Sequence, residues 1–289
     1  MPLVMTLRGS KRRYSSADAT LAHMAKMAAS PASGRPPEAL RKRVDITTTA
    51  VAGWQVYMVS PKSGGTDRRG LYLHGGSYVY EIQPQHWTLV ADLVESTGIR
   101  MTVPLFPLAP IETASTIVPA AADLAAALVA EVGEDNVSIL GDSAGGGMAL
   151  AVAMLLRDRG LPPLRSTVLI SPWLDISGTD PQLAVIAPRD PWLAVPGSRA
   201  AGAVYRGTVA EDDPLVSPIN GSLAGLGPIT MFSGTRDILN ADAHRLVGLA
   251  ARTGVTLDFF EVPGMLHVYP LLPIPEARPA RAAMRAAIA

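Results

Sequence analysis

The residues able to do chemistry in this chain of 289 residues converge on one serine. Ser143 sits in Gly141-Asp142-Ser143-Ala144-Gly145, with glycines two positions either side. A serine hydroxyl is a weak nucleophile at neutral pH. It needs a histidine within hydrogen-bond reach to take its proton, and that histidine needs an oriented carboxylate. Five histidines are available: His23, His74, His86, His244 and His267. In the chain order serine–acid–histidine of nucleophile-elbow hydrolases, only His244 and His267 follow the serine. His267 closes Glu261-Val-Pro-Gly-Met-Leu-His267, a turn beyond the last clear strand, and is the expected base. His244 falls within a helical pattern, where a partly exposed surface position suits it better. Asp237 ends Ser233-Gly-Thr-Arg-Asp237 directly after a strand and is the expected acid. Its competitor Asp242 lies one turn into the following helix, where a carboxylate favours the positive helix start.

A developing oxyanion needs N–H donors. Leu71-Tyr-Leu-His-Gly-Gly-Ser77 places glycines immediately after a strand, where backbone N–H groups can turn toward a substrate oxygen. Gly75, Gly76 or Ser77, with Ala144 at a helix start, are the expected donors. A tight turn with no such role is the plain alternative for this stretch.

These groups must be carried by strand ends. Val137 to Leu140 reads as a strand and Met148 to Arg157 as a helix, so Ser143 occupies the sharp turn between them. Upstream, residues 14–29 have helical spacing, and Pro31-Ala-Ser-Gly-Arg-Pro-Pro37 breaks that helix. Val44 to Thr49 and Trp54 to Val59 read as a hairpin turned near Gly53, followed by a buried strand from Gly70 to His74. Alternation then takes over: helix 83–97, strand 99–103, helix 115–131, the elbow and helix 146–159, strand 167–170, strand 229–233, helix 239–252, strand 256–262 and a final Ala/Arg helix. The fold class is therefore α/β, with a mostly parallel central sheet flanked by helices. Residues 176–215 are a Pro- and Gly-rich excursion from a strand end. In open α/β sheets that end faces the ligand crevice, which an excursion of this length can cover.

Composition narrows the function classes. Hydrophobic residues make up 48% and charged residues 17%, as in a compact globule. Twenty-five basic and twenty-five acidic residues cancel, so no nucleic-acid partner is signalled. The short basic runs Lys11-Arg12-Arg13 and Arg41-Lys42-Arg43 read as solvated faces. There is no cysteine, which removes disulfides, thiol catalysis and thiolate metal sites and fits a reducing compartment. Met1 to Leu7 is too short for a signal core, and no run reaches the ~20 apolar residues of a membrane span. The expectation is a soluble cytoplasmic protein that uses no metal or cofactor. The Ala/Arg C-terminal helix is a candidate homodimer edge.

Six ordered blocks bear a family resemblance. They are His74-Gly-Gly-Ser77, Gly141-Asp-Ser-Ala-Gly-Gly146, Ser171-Pro-Trp-Leu-Asp175, Asp213-Pro-Leu-Val-Ser-Pro218, Gly234-Thr-Arg-Asp237 and Gly264-Met-Leu-His267. The sequence resembles the hormone-sensitive-lipase-like (family IV) branch of the α/β-hydrolase fold, which also contains bacterial esterases and lactone hydrolases. The resemblance implies Ser143 as nucleophile, Asp237 as orienting acid and His267 as base. It further implies an oxyanion hole from Gly75, Gly76 or Ser77 plus Ala144, and a helical cap from about 1–43 and 176–215 over a core of about 44–175 and 216–289. Two departures stand out. Ser77 replaces the family's third glycine, and Pro104-Leu-Phe-Pro-Leu-Ala-Pro110-Ile-Glu112 lacks the usual Asp and Arg of Asp-Tyr-Arg-x-Ala-Pro-Glu.

The expected reaction is hydrolysis of short- to medium-chain or small hydrophobic esters through an acyl-serine. Lactone or aryl-amide hydrolysis by the same residues is the alternative, and a ligand-binding protein without turnover the rival class. Tyr78, Trp87, Trp192, Tyr205, Leu239 and Val268 are the candidate apolar contacts to a small-molecule ester.

Overall fold

The structure, a computed structural model, describes residues 10–289. Among these, eight strands form one sheet in the order β1-β2-β4-β3-β5-β6-β7-β8. They are β1 (Val44–Val51), β2 (Trp54–Pro61), β3 (Arg69–Leu73), β4 (Arg100–Leu105), β5 (Val137–Asp142), β6 (Ser166–Ile170), β7 (Ile229–Gly234) and β8 (Leu257–Val262). β1 and β2 form the expected hairpin, turned at Ala52-Gly53 with both residues at positive φ. β2 also pairs antiparallel with β4, and the sheet from β4 to β8 is parallel throughout.

The helices are α1 (Ala17–Ala29), α2 (Pro84–Thr97), α3 (Ala114–Val132), α4 (Ala144–Asp158), α5 (Leu183–Ile186), α6 (Val195–Arg206), α7 (Asn240–Thr253) and α8 (Ala277–Ile288). Parallel strands covered on both faces read as continuous apolar runs, and every residue of β3, β5, β6 and β7 is buried. Their side chains alternate between two layers. Leu71, Leu73, Val137 and Ile139 share a core with α3 and α4, while Tyr72, Leu140 and Phe232 share the other with α2 and α8. α3 is long and apolar enough, by length and composition, to cross a membrane. It lies instead against α4 and β5, with Ile117, Val118, Ala121, Ala125 and Leu128 buried. In α8 the apolar face (Ala277, Ala280, Met284, Ile288) is turned into the chain, which leaves a small and basic face outward.

Strand order fixes where a site can form. From β3 the chain steps one way to β4, then returns across β3 to β5 on the other side. Such a reversal opens a crevice at the carboxyl ends of the two strands. Leu73 is paired with Gly141, so His74-Gly-Gly-Ser77 and Ser143 leave the sheet side by side at that crevice.

Above this edge, α1 packs against α6. Lys11 Nζ ties the two segments by donating to the carbonyls of Ala187 (2.5 Å) and Asp190 (2.8 Å). Residues 31–43 then descend along the sheet. The Trp87 indole N–H donates to Gly34 O at 3.0 Å, Leu40 joins the α2 side of the core, and Arg43 pairs with Asp92 and Glu95.

Candidate active site

Backbone crowding sets the turn that carries Ser143. A Cβ on Gly141 would lie 2.1 Å from Gly145 O, and one on Gly145 would lie 2.0 Å from Leu73 O. Only glycine admits helix and strand at that separation. Between them Ser143 takes φ 52°, ψ −122°, a region costing a non-glycine residue of order 1–3 kcal/mol. Its N–H donates to Ile170 O at 2.8 Å, and its C=O accepts from Trp173 N–H at 2.9 Å, which over-determines the strained turn. α4 begins at Ala144, two residues earlier than its apolar pattern suggests, so the first turn of the helix points its free N–H groups past the serine.

Two loops bring the other groups to Ser143. His267 Nε2 lies 2.9 Å from Ser143 Oγ, and His267 Nδ1 lies 2.8 Å from Asp237 Oδ2. With Nδ1–H donating to the carboxylate, Nε2 is the acceptor for the serine proton. Asp237 Oδ1 accepts the Leu239 N–H at 3.0 Å. Ser171 Oγ accepts the N–H of Val268, a residue in the left-handed region (φ 46°), and so fixes the histidine loop. Burial opposes protonation of His267. The charge and hydrogen bond of Asp237, with Asp190 and Asp142 beyond, outweigh it and raise its pKa above the ordinary 6.5.

The competitors are engaged elsewhere. His244 is half exposed and bonds Glu261 at 2.7 Å, and Asp242 shares Arg245 with Asp175 at 2.7 and 3.0 Å. Burial lifts Asp242 to a pKa of about 6.

Asp142, between the glycine and the serine, holds the loop after β3. Its Oδ1 accepts the Tyr72 hydroxyl (2.6 Å) and the Gly75 N–H (3.0 Å), and its Oδ2 lies 3.2 Å from His86 Nε2. His86 Nδ1 accepts the Gln83 N–H, so the ring hydrogen is on Nε2 and points at Asp142. Burial pushes the Asp142 pKa up, but His86, Tyr72 and Gly75 together bring it below the ordinary 3.8. This corrects the expectation for Gly75: its N–H is spent on Asp142 and does not face a substrate. The N–H groups of Gly76, Ser77 and Ala144 have no such partner among the described residues. His74 stacks on Phe106 at 4.4 Å and bonds Gly75 O through Nδ1, and burial pushes its pKa down to about 4.

A cavity of about 1620 Å³ opens over these groups, walled by α1 (Met24, Met27), Phe106, Leu108 and Leu272. Of the apolar contacts expected from sequence, Trp192 and Val268 line it, and Trp192 stands edge-on to His267 at 5.6 Å. Tyr78, Tyr205, Leu239 and Trp87 do not. Tyr78 and Tyr205, the latter on α6 of the excursion, stack on each other, 2% and 0% exposed, so both rings are part of the core. Leu239 is buried with α7 and supports Asp237 by its backbone alone, and Trp87 is buried on the α2 side.

Four residues escaped the sequence reading. They are Asp142 as an anchor, His86 behind it, Ser171 under the histidine loop, and Asp190. The buried Asp190 carboxylate accepts the N–H groups of Trp192 (2.7 Å), Leu193 (2.9 Å) and Ile238 (2.9 Å), joining the excursion to the loop of Asp237. Burial and the nearby Asp237 raise its pKa. An acid at a buried strand end (Asp142) and an Asp-Pro-Trp at a break in the excursion were the available signals.

Comparison with known proteins agrees with this arrangement. The family model described as the alpha/beta hydrolase fold matches residues 70–271. A triacylglycerol lipase of Mycobacterium tuberculosis is 34% identical over 82% of this chain, and the match spans half of that protein's length. An acetyl-hydrolase of Streptomyces hygroscopicus is 32% identical over 70% of this chain and 70% of its own. The crystal structure of an esterase from the bacterial hormone-sensitive lipase family superimposes with a TM-score of 0.83 at 25% identity, covering 100% of this chain and 97% of the other. The sheet reversal, the serine turn and these matches together make the chain a member of the α/β-hydrolase fold family, in its bacterial hormone-sensitive-lipase-like branch.

Proposed function

We propose that the protein is a serine carboxylesterase in which Ser143, His267 and Asp237 hydrolyse short- to medium-chain or small hydrophobic esters. The observation that carries the reading is the unbroken relay from Ser143 Oγ to His267 Nε2 (2.9 Å) and from His267 Nδ1 to Asp237 (2.8 Å), beside N–H groups unengaged among the described residues. His267 takes the serine proton as Oγ attacks the ester carbonyl. The N–H groups of Gly76, Ser77 and Ala144 receive the oxyanion. The tetrahedral species collapses to an acyl-serine as His267 protonates the leaving alcohol, and water reverses the steps with His267 again as base. Asp237 orients the ring and stabilises the imidazolium.

The helical cap, contributed by the described residues before β1 and by residues 176–215, supplies Met24, Met27 and Trp192 to the cavity wall, and these apolar groups suit a hydrophobic acyl or alcohol part. A cytoplasmic location fits the cysteine-free chain, which has no disulfide that would need an oxidising compartment. Ser143→Ala tests the reading. It relieves none of the packing, so the variant keeps the wild-type circular dichroism and unfolding midpoint while p-nitrophenyl butyrate hydrolysis falls by at least about 10⁴-fold. Wild-type-like turnover in that variant overturns it. Stoichiometric labelling of Ser143 by a fluorophosphonate separates this enzyme from a ligand-binding protein, whose unactivated serine stays unlabelled.

A further inference from the structure

The family resemblance places a third glycine where this chain has Ser77, and the backbone there agrees with glycine: Ser77 has φ 54°. A side chain kept at left-handed φ, where glycine is unstrained, points to work done by that side chain. Ser77 Oγ lies 3.0 Å from the hydroxyl of Tyr14, and both residues are buried while lining the cavity that holds Ser143 and His267. The loop itself abuts the nucleophile, since a Cβ on Gly75 would lie 3.0 Å from Ser143 Cβ. Burial raises the Tyr14 pKa, so the phenol keeps its hydrogen.

Counting hydrogens decides the consequence. The pair has two hydroxyl hydrogens, and their mutual bond uses one. No other hydrogen-bond partner of either hydroxyl is found among the described residues, so whichever way the bond runs, one O–H is left for the cavity. We infer that Tyr14 donates to Ser77 Oγ, and that the Ser77 O–H so freed is an additional side-chain donor to the acyl carbonyl oxygen of the substrate. The inference rests on the esterase reading given above. Ser77 is then a catalytic residue through its hydroxyl as well as its N–H, and Tyr14 is a positioning residue that also polarises it. Because Tyr14 ends the turn Ser10–Tyr14 ahead of α1, the donor set is complete only with this part of the cap seated.

The test compares Ser77→Gly, Ser77→Ala, Tyr14→Phe and the double variant Tyr14→Phe/Ser77→Ala, using p-nitrophenyl butyrate and a boronic acid transition-state analogue. Loss of an oxyanion donor lowers kcat by about 10- to 100-fold in Ser77→Gly and Ser77→Ala, with KM within about twofold. Analogue binding weakens by the same factor as kcat/KM. Ser77→Gly relieves the backbone strain, so its unfolding midpoint stays level or rises while its rate falls, a pairing that a packing role does not produce. Tyr14→Phe loses about three- to tenfold in kcat, and the double variant is no slower than Ser77→Ala, because the two act through one bond. Wild-type kcat in Ser77→Gly overturns the inference, and so does additive loss in the double variant. Fluorophosphonate labelling of the wild type separates this failure from failure of the esterase reading. An unlabelled, inactive wild type sinks both, whereas a labelled wild type with a fully active Ser77→Gly sinks only the hydroxyl donor.

Discussion

Replacing Asp142 by asparagine tests whether one buried carboxylate holds the oxyanion loop in place. All three of its partners donate: the Tyr72 hydroxyl, the Gly75 N–H and His86 Nε2–H. Asparagine offers one acceptor oxygen and one donor nitrogen in the same space. With its oxygen on Tyr72 and Gly75, its NH₂ meets the His86 N–H. His86 cannot switch tautomer, because its Nδ1 accepts the Gln83 N–H. Turning the amide over instead sets the NH₂ against Gly75, whose backbone N–H cannot rotate away. Either way a buried donor goes unpaired at about 1–3 kcal/mol, and the bonds that survive lose their charge assistance at about 1 kcal/mol more.

The expected loss is therefore about 2–4 kcal/mol, which for a chain of this size lowers Tm by roughly 3–7 °C. The loosened Gly76 and Ser77 donors also lower kcat, by about tenfold. Calorimetry at pH 7 and p-nitrophenyl butyrate kinetics read both. His86→Gln is the control, since its amide can donate to Asp142 and accept from Gln83, so it costs under about 1 kcal/mol. An Asp142→Asn variant within 1–2 °C and about twofold of wild type refutes the reasoning, as does a His86→Gln variant equally damaged.

Two pH measurements follow from the same site. Activity requires unprotonated His267, whose pKa is raised above 6.5, so kcat/KM climbs with pH through a midpoint above 6.5; Asp190→Asn removes one of the charges that raise it, and the midpoint moves to lower pH. An unmoved midpoint counts against electrostatic contact between the cap and the base. His74 works in the opposite sense on stability. Its folded pKa of about 4 lies below the ordinary 6.5, so between those values the unfolded chain binds a proton that the folded one refuses. Stability is full above pH 6.5 and falls by up to about 3 kcal/mol on acidification to pH 4. Urea unfolding across that window measures the slope, which is reduced in His74→Gln; an equal slope in the variant assigns it to other groups.

Sequence reading reached the elements and the three side chains that the structure brings within hydrogen-bond distance, because both are written locally. Ser143, Asp237 and His267 each follow an apolar run by a fixed short interval, and a strand end can be found from its own residues. What lay hidden was decided by strand order. Nothing in the chain around His74 or Gly141 states that β3 and β5 are neighbours, and only that pairing aligns Leu73 with Gly141 and sets Gly75 beside Asp142. For this reason a local reading keeps the Gly75 N–H among the candidate oxyanion donors, since it counts donors without seeing who has already taken them. Tyr78 and Tyr205 misled for a related cause. An aromatic residue beside an active-site loop is equally suited to a pocket wall and to the core, and their 3.4 Å stacking exists only once the excursion has folded back over the loop.

That folding back gives the cap more than a covering role. Tyr14, ahead of α1, bonds the oxyanion loop at Ser77, and Asp190, from the excursion, bonds the N–H of Ile238 next to the candidate acid. Lys11 joins the two segments at the Asp190 carbonyl. The same cap thus contacts the supports of both the candidate oxyanion donors and the candidate acid. The two braces are single hydrogen bonds, so removing either partner leaves the serine turn intact and loosens only the loop it holds: Tyr14 that of Ser77, Asp190 that of Asp237.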